Sequence, residues 1–212
     1  MIYITKDKSC VFIINYKCCY STFEELTRKH ILYHISRRMK KVKRRSQIEA
    51  KIPNLRNYKL LLIVRNPLGR LISFYCDKFI NRIKRGQYNL ECQTKMYKYF
   101  PLEYIKNGNF TFSNLLEAIE KGYKDKHMHL QNIAVGKSLM EHTIILKMED
   151  IDFSTKLKKL IDTEILPHRN KTDKKKIVMS ESDKAYIYKF YKSDFIKFNY
   201  SFEYLNYPLK IN

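Results

Sequence analysis

The sequence predicts an α/β fold built on a mainly parallel sheet whose two faces are both covered by helices. Two short apolar runs, CVFIIN from Cys10 to Asn15 and LLLIV from Leu60 to Val64, read as buried strands. Each is followed by a helical pattern, and strands that alternate with helices imply a parallel, two-faced sheet. At 212 residues and 44% hydrophobic content, the chain is the right size for one compact domain spanning residues 1–212. Five glycines and five prolines leave no room for a long flexible linker.

Taken in order, Met1 to Thr5 is expected to pair with the Cys10 strand as a hairpin across Lys6-Asp7-Lys8. Tyr16 to Tyr20 forms the loop after that strand. The first helix is expected from about Thr22 to Lys43, because Ser21-x-x-Glu24 and Thr22-x-x-Glu25 both fit a capping box. After the Leu60 strand, Asn66 suits a helix cap and Pro67 the first helical position, where its missing N–H costs nothing. That helix runs to about Lys84 and carries Leu68, Leu71, Ile72, Tyr75 and Phe79 on one core-facing stripe. Gly86 to Asn109 reads as a polar and aromatic excursion on the acceptor side. Phe112 to Lys121 is a helix ended by Gly122. His142 to Met148 is a strand, Phe153 to Leu166 a helix, and Ser180 to Phe198 a last amphipathic helix capped by Ser180 or Ser182.

Composition narrows the function classes. The net charge is +21, from 42 basic and 21 acidic residues, which points to an anionic partner. The densest run, Arg37 to Arg45, has seven basic residues in nine. It suits a solvated helix end, a nucleic-acid patch or a groove for an acidic glycan. Lys171 to Lys176 forms a second cluster, expected to be a loop. No run of about 18 apolar residues occurs, so no membrane span is expected. With a strand beginning by Cys10, no signal peptide is expected either, which makes a cytoplasmic location the simplest one. Five cysteines, two of them adjacent, do not make a secreted disulfide framework, and no C-x-x-C pair suggests zinc. Cys18 and Cys19 are either small fillers where backbone must approach a phosphate or a thiol activated by Lys17.

Two motifs carry the chemistry. Arg65 stands at the carboxyl end of a strand, where open α/β sheets bind ligands, and Ser73 lies two turns into the next helix. Upstream, a strand, the Lys17 loop and a helix N-terminus at Ser21 and Thr22 form an anion cradle. This loop is not a Walker A sequence, since no glycine precedes Gly69. Arg65-x-Pro67-x-x-Arg70-x-x-Ser73, followed by Tyr75 and Lys78, resembles the 3′-phosphate-binding segment of sulfotransferases. Lys17, Ser21 and Thr22 match the 5′-phosphosulfate loop of carbohydrate sulfotransferases. Cys18-Cys19 stand there in place of the usual small or glycine residues, and Tyr16 in place of a proline. His127-x-His129-x-Gln131 resembles the His-x-x-x-Gln element of the membrane-type carbohydrate enzymes. Ile144 to Asp150 is similar to their late strand, and Tyr191 to Tyr200 to their terminal helix.

The resemblance implies a P-loop-like three-layer sandwich that uses 3′-phosphoadenosine 5′-phosphosulfate (PAPS) as donor and a hydroxyl, on a glycan, as acceptor. Related enzymes are usually anchored in the Golgi, a location that would apply here only to a trimmed form. Lys17 would neutralise the leaving oxygen. The Lys17, Cys18, Cys19, Tyr20, Ser21 and Thr22 segment would hold the 5′ side, and Arg65 with Ser73 the 3′-phosphate. Asn170 and Thr172 would close over the nucleotide. Arg70 points elsewhere by helical spacing and reads as a structural ion-pair residue. For the general base, His127 is the first choice and His129 the second, with Glu24 or Glu25 as acidic alternatives. No metal is expected, because cationic side chains can supply the charge that Mg²⁺ supplies in kinases. Three other readings stay open: a P-loop-like kinase, a nucleic-acid-binding module built on the Arg37 to Arg45 run, and a sulfotransferase fold that binds nucleotide without turnover.

Overall fold

The computed structural model describes residues 1–35, 52, 55–88, 91–134, 140–167 and 177–201. The chain forms two compact units, one from Met1–Asn66 and Leu130–Asn170, the other from Pro67–His129 and Lys171–Asn212. The Arg37 to Arg45 run, the Lys171 to Lys176 cluster and Asn170 lie outside the described residues, as does Thr172 within that cluster.

The first unit holds a five-stranded sheet of order β3-β1-β2-β4-β5. Its strands are β1 (Ile2–Thr5), β2 (Cys10–Ile14), β3 (Leu32–His34), β4 (Lys59–Val64) and β5 (Thr143–Lys147). β2 pairs β4, and β4 pairs β5, in parallel, while β1 is antiparallel to both β2 and β3. Four strands therefore run one way and β1 runs against them, giving the mainly parallel α/β sheet expected. The β1–β2 hairpin closes as anticipated across Lys6-Asp7-Lys8. There Lys8 adopts a positive φ of 60° and the Asp7 carboxylate accepts the Ser9 N–H at 3.0 Å.

Every residue of β2, and Leu60 to Val64 of β4, is buried, so both faces of these strands are shielded from water. On one face Phe12, Ile14, Leu61 and Ile63 pack with Phe23 and Leu26 of α1 (Tyr20–Arg28). Phe153, Leu157 and Ile161 of a later helix, Phe153–Ile161, join the same cluster.

Helix α1 is much shorter than the expected Thr22 to Lys43. It stops at Arg28 because His30 turns left-handed, with φ 57°. The His30 N–H then bonds Thr27 O at 3.1 Å and the Ile31 N–H bonds Leu26 O at 2.9 Å, a complete Schellman stop. The chain turns straight into β3. The start differs too. Tyr20 is the first helical residue and Cys19 the cap, so Ser21 and Thr22 lie inside the first turn and neither capping box forms. The helix expected from Phe153 to Leu166 likewise ends at Ile161, where Asp162 turns left-handed.

In the second unit, α2 (Pro67–Tyr75) continues through a π-helical turn at Cys76–Asn81 to Lys84, the expected end. Its stripe of Leu68, Leu71, Ile72, Tyr75 and Phe79 is buried as expected. Within this wide turn the carbonyl of Lys78 accepts from the Gln93 side chain at 2.6 Å. The Gly86 to Asn109 excursion contains two short helices, α3 (Glu91–Met96) and α4 (Leu102–Lys106). They bury Cys92, Gln93, Met96 and Ile105, which makes them part of the packing. Helix α5 (Phe112–Glu120) ends at Gly122, whose φ of 101° suits glycine. With Phe153–Ile161 as α6, the last helix is α7 (Glu181–Lys197), begun by a reciprocal capping box between Ser180 and Asp183. It kinks at Tyr191.

Phe12 is fully buried with its ring centroid 5.2 Å from that of Phe23. Phe12→Ala is expected to cost about 3–5 kcal/mol of unfolding free energy, read from denaturant titration. A loss under about 1 kcal/mol would show that this aromatic pair is not central to the core.

Candidate active site

In the first unit the carboxyl ends of β2, β4 and β5 lie side by side, as the pairs Ile14 with Ile63 and Val64 with Lys147 show. Three segments leave the sheet there: the loop Asn15 to Cys19, the dipeptide Arg65-Asn66 and the turn beginning at Met148. The loop is a tight one. Cys18 N–H bonds Asn15 O at 3.2 Å, and Lys17 and Cys19 both take left-handed conformations with φ 67° and 55°. Glycine would adopt these angles without strain, which explains why small or glycine residues suit such a loop. Helix α1 then starts without a side-chain cap. That leaves its first turn to present backbone donors and the positive end of its dipole toward the loop.

Gln131 ties these segments together. It is fully buried, and its side-chain amide pairs with the backbone of Arg65, accepting the N–H at 2.9 Å and donating to the carbonyl at 2.7 Å. The same Oε1 accepts the Cys18 thiol at 3.3 Å, and the Gln131 carbonyl accepts from the Asn15 side chain at 3.4 Å. The Arg65 guanidinium in turn donates to the Lys17 carbonyl at 3.3 Å. Lys17 and Arg65, expected from sequence on two different phosphates, thus share one end of the sheet. Glu149, just after β5, accepts the Asn66 N–H at 2.9 Å and adds a carboxylate beside this group.

The two cysteines behave as fillers and not as an activated pair. Cys18 is fully buried against Gln131. Burial, with the neighbouring Cys18, raises the Cys19 thiol to about 12 despite the opposing pull of Arg65. A thiol held protonated in this way fits the filler role.

Other expected residues have distinct surroundings. Thr22 Oγ1 donates to the Pro167 carbonyl at 3.1 Å. Of the acidic base candidates, Glu24 is buried and accepts the Tyr3 hydroxyl at 2.9 Å, while Glu25 pairs with Arg28 at 2.8 Å. Ser73, His127 and His129 belong to the second unit. Ser73 is half-buried and His129 exposed. His127 is half-buried, its ring stacked on Phe74 at 5.4 Å and its Nδ1 bonded to Asp125.

Arg70, expected as a structural ion-pair residue, binds backbone carbonyls. It is 1% exposed and donates to the carbonyls of His127, Met128 and His129, the last at 2.5 Å. In the sequence Gln131, Glu149 and Tyr191 stand out only as letters of family-like segments, and Asp125 not at all. The one usable signal was the spacing His127-x-x-x-Gln131. Among the described residues no group of three or more metal-ligating side chains comes together, and no helix is long and apolar enough to cross a membrane.

The ends of the parallel strands thus carry a lysine loop at a helix start and a clamped arginine. Residues 10–201 match the model of the sulfotransferase family, and the chain belongs to that family. Membership supports sulfuryl transfer in general terms. No curated protein and no solved structure matches the chain.

Gln131→Leu keeps the volume but leaves the Arg65 N–H and carbonyl without their partners. A loss of about 2–4 kcal/mol is expected in denaturant unfolding, and a loss below about 1 kcal/mol would remove the clamp from the account. The Cys19 thiol sets a pH dependence. Unfolded chain ionises near pH 8.5 and the folded thiol only near 12, so its stabilising contribution is complete below about 8.5 and is lost as pH rises toward 12. Melting temperatures measured from pH 7 to 10 are expected to fall less steeply for Cys19→Ser than for the wild type. Equal slopes would show that Cys19 does not titrate as described.

Proposed function

We propose that this protein transfers a sulfuryl group from PAPS to a hydroxyl, with a carbohydrate as acceptor. The observation that carries the reading is the Arg65 guanidinium held against the Lys17 carbonyl at the ends of β2 and β4. That arrangement brings a guanidinium against the lysine loop and the start of a helix, a donor set suited to phosphate. The carbohydrate acceptor rests on the His127-x-x-x-Gln131 element, and the single catalytic domain on a family match that runs through both units.

In this reading the acceptor oxygen attacks sulfur in line. The bond from sulfur to the phosphate oxygen breaks, adenosine 3′,5′-bisphosphate leaves, and the acceptor proton passes to His127. Lys17 and the backbone of Cys18, Cys19 and Tyr20 neutralise charge on the departing phosphate, with Ser21 and Thr22 in support. As in phosphoryl transfer, positioning and electrostatics do most of the work. Arg65 suits the 3′-phosphate because its planar fork binds phosphate bidentately, and Ser73 joins it on the strength of the motif. His129 is the reserve base. Asn170 and Thr172 rest on the resemblance alone.

Calorimetry with adenosine 3′,5′-bisphosphate is the test. The wild type is expected to bind near micromolar, about −8 kcal/mol. Lys17→Ala and Arg65→Ala are each expected to weaken binding by about tenfold or more, as the loss of a charge-assisted bond implies. A folded wild type that does not bind would overturn the donor and the transfer reading together.

A further inference from the structure

Asp125 lies two residues before His127, in the stretch after α5, and is 6% exposed. One of its oxygens, Oδ1, accepts twice from the same residue, from the His127 backbone N–H at 2.8 Å and from the His127 ring at Nδ1. A carboxylate that only closed a turn would need the first bond and not the second. The ring is also held from its face by Phe74, with planes 19° apart. The backbone beneath it is fixed by Arg70 on the carbonyls of residues 127 to 129 and by the Tyr191 hydroxyl on the Met128 carbonyl at 3.0 Å.

We propose that Asp125 is a positioning residue that sets the tautomer and the basicity of the His127 ring. The inference rests on the reading of His127 as general base. With the Nδ1 hydrogen held by a carboxylate, the neutral ring carries its lone pair on Nε2, and a proton from an acceptor hydroxyl is taken at that atom. The imidazolium so formed is stabilised by the charge behind it, the same logic by which a buried carboxylate orients a catalytic histidine. Without that partner the ring hydrogen is released to settle on Nε2, where it blocks the base.

The surroundings keep Asp125 ionised. Burial alone would raise its carboxyl, but hydrogen bonds from the His127 ring and N–H outweigh burial and hold it below the usual carboxylate range. Lys95 of α3 acts in the same direction. The other groups that feel its charge do not compete for the ring's proton near neutral pH. Burial raises the Cys92 thiol to about 11 and pushes the Tyr123 phenol up as well, while Glu91 on α3 is engaged with Lys95 at 2.6 Å.

The test uses the full chain, labelled with ¹⁵N, and long-range imidazole correlations that report which ring nitrogen bears hydrogen. Six histidines are few enough for His127→Asn to assign the signal. The wild type is expected to show the hydrogen on Nδ1, and Asp125→Asn to shift it to Nε2 and lower the ring pKa by about one unit or more. Turnover with PAPS is expected to fall about 10²–10⁴-fold in kcat, with donor KM unchanged. The double variant Asp125→Asn with His127→Asn should lose little beyond His127→Asn alone, which a merely structural role would not produce. A wild-type ring protonated on Nε2, or an Asp125→Asn ring with unchanged tautomer and pKa, would overturn the proposal. The wild-type spectrum decides the point even where Asp125→Asn does not fold. A ring held as expected in a protein that neither binds adenosine 3′,5′-bisphosphate nor turns over would support the orientation by Asp125 and overturn the transfer reading instead.

Discussion

The two-point contact between the Gln131 amide and the backbone of Arg65 is the constraint on which the first unit's site depends. A chain that leaves a parallel sheet at its carboxyl edge loses ladder partners just where a ligand must be met. Gln131 supplies both missing partners to Arg65 as a neighbouring strand would. Because its Oε1 also takes the Cys18 thiol, the arginine and the lysine loop are fixed by one buried side chain. Their spacing is thus set by the interior and not by the mobility of two long surface side chains.

The second unit solves a related problem with a charged residue. Arg70 and Tyr191 satisfy the carbonyls of the segment from His127 to His129, which belongs to no helix or strand. Gln93 does the same for the Lys78 carbonyl in the π-helical turn. In each case an irregular stretch of backbone is kept out of water by a long polar side chain from elsewhere in the same unit. Buried backbone polar groups need partners, and these residues provide them where secondary structure cannot. In the same unit the rings of Tyr75, Phe79, Phe110 and Phe112 pack on one another as an apolar cluster.

What could be read from the sequence was what depends on neighbours along the chain. The all-apolar runs of β2 and β4, Pro67 opening a helix and Gly122 closing one all declare themselves locally. The expected end of α1 failed because the residue that turns left-handed is His30, and histidine carries no such signal. Helices α3 and α4 are too short for a period to emerge from a polar, aromatic stretch. Gln131 could be noticed as a motif letter but not given a role, since its partners Arg65 and Cys18 stand 66 and 113 residues away. For Arg70 the helical spacing suggested a structural role. It could not show that the destination was a set of carbonyl oxygens.

The left-handed angle at Lys17 sets two requirements against each other at a single position. Backbone geometry there favours the one residue without a side chain, by roughly 1 kcal/mol or more. The neighbouring guanidinium and the positive end of the helix both repel a further cation, so a lysine is electrostatically at ease at this position only opposite an anion. A sequence chosen only for folding would put glycine at residue 17 and obtain a firmer protein with an electrostatically poorer loop. The presence of lysine marks residue 17 as a place where conformational comfort yields to charge.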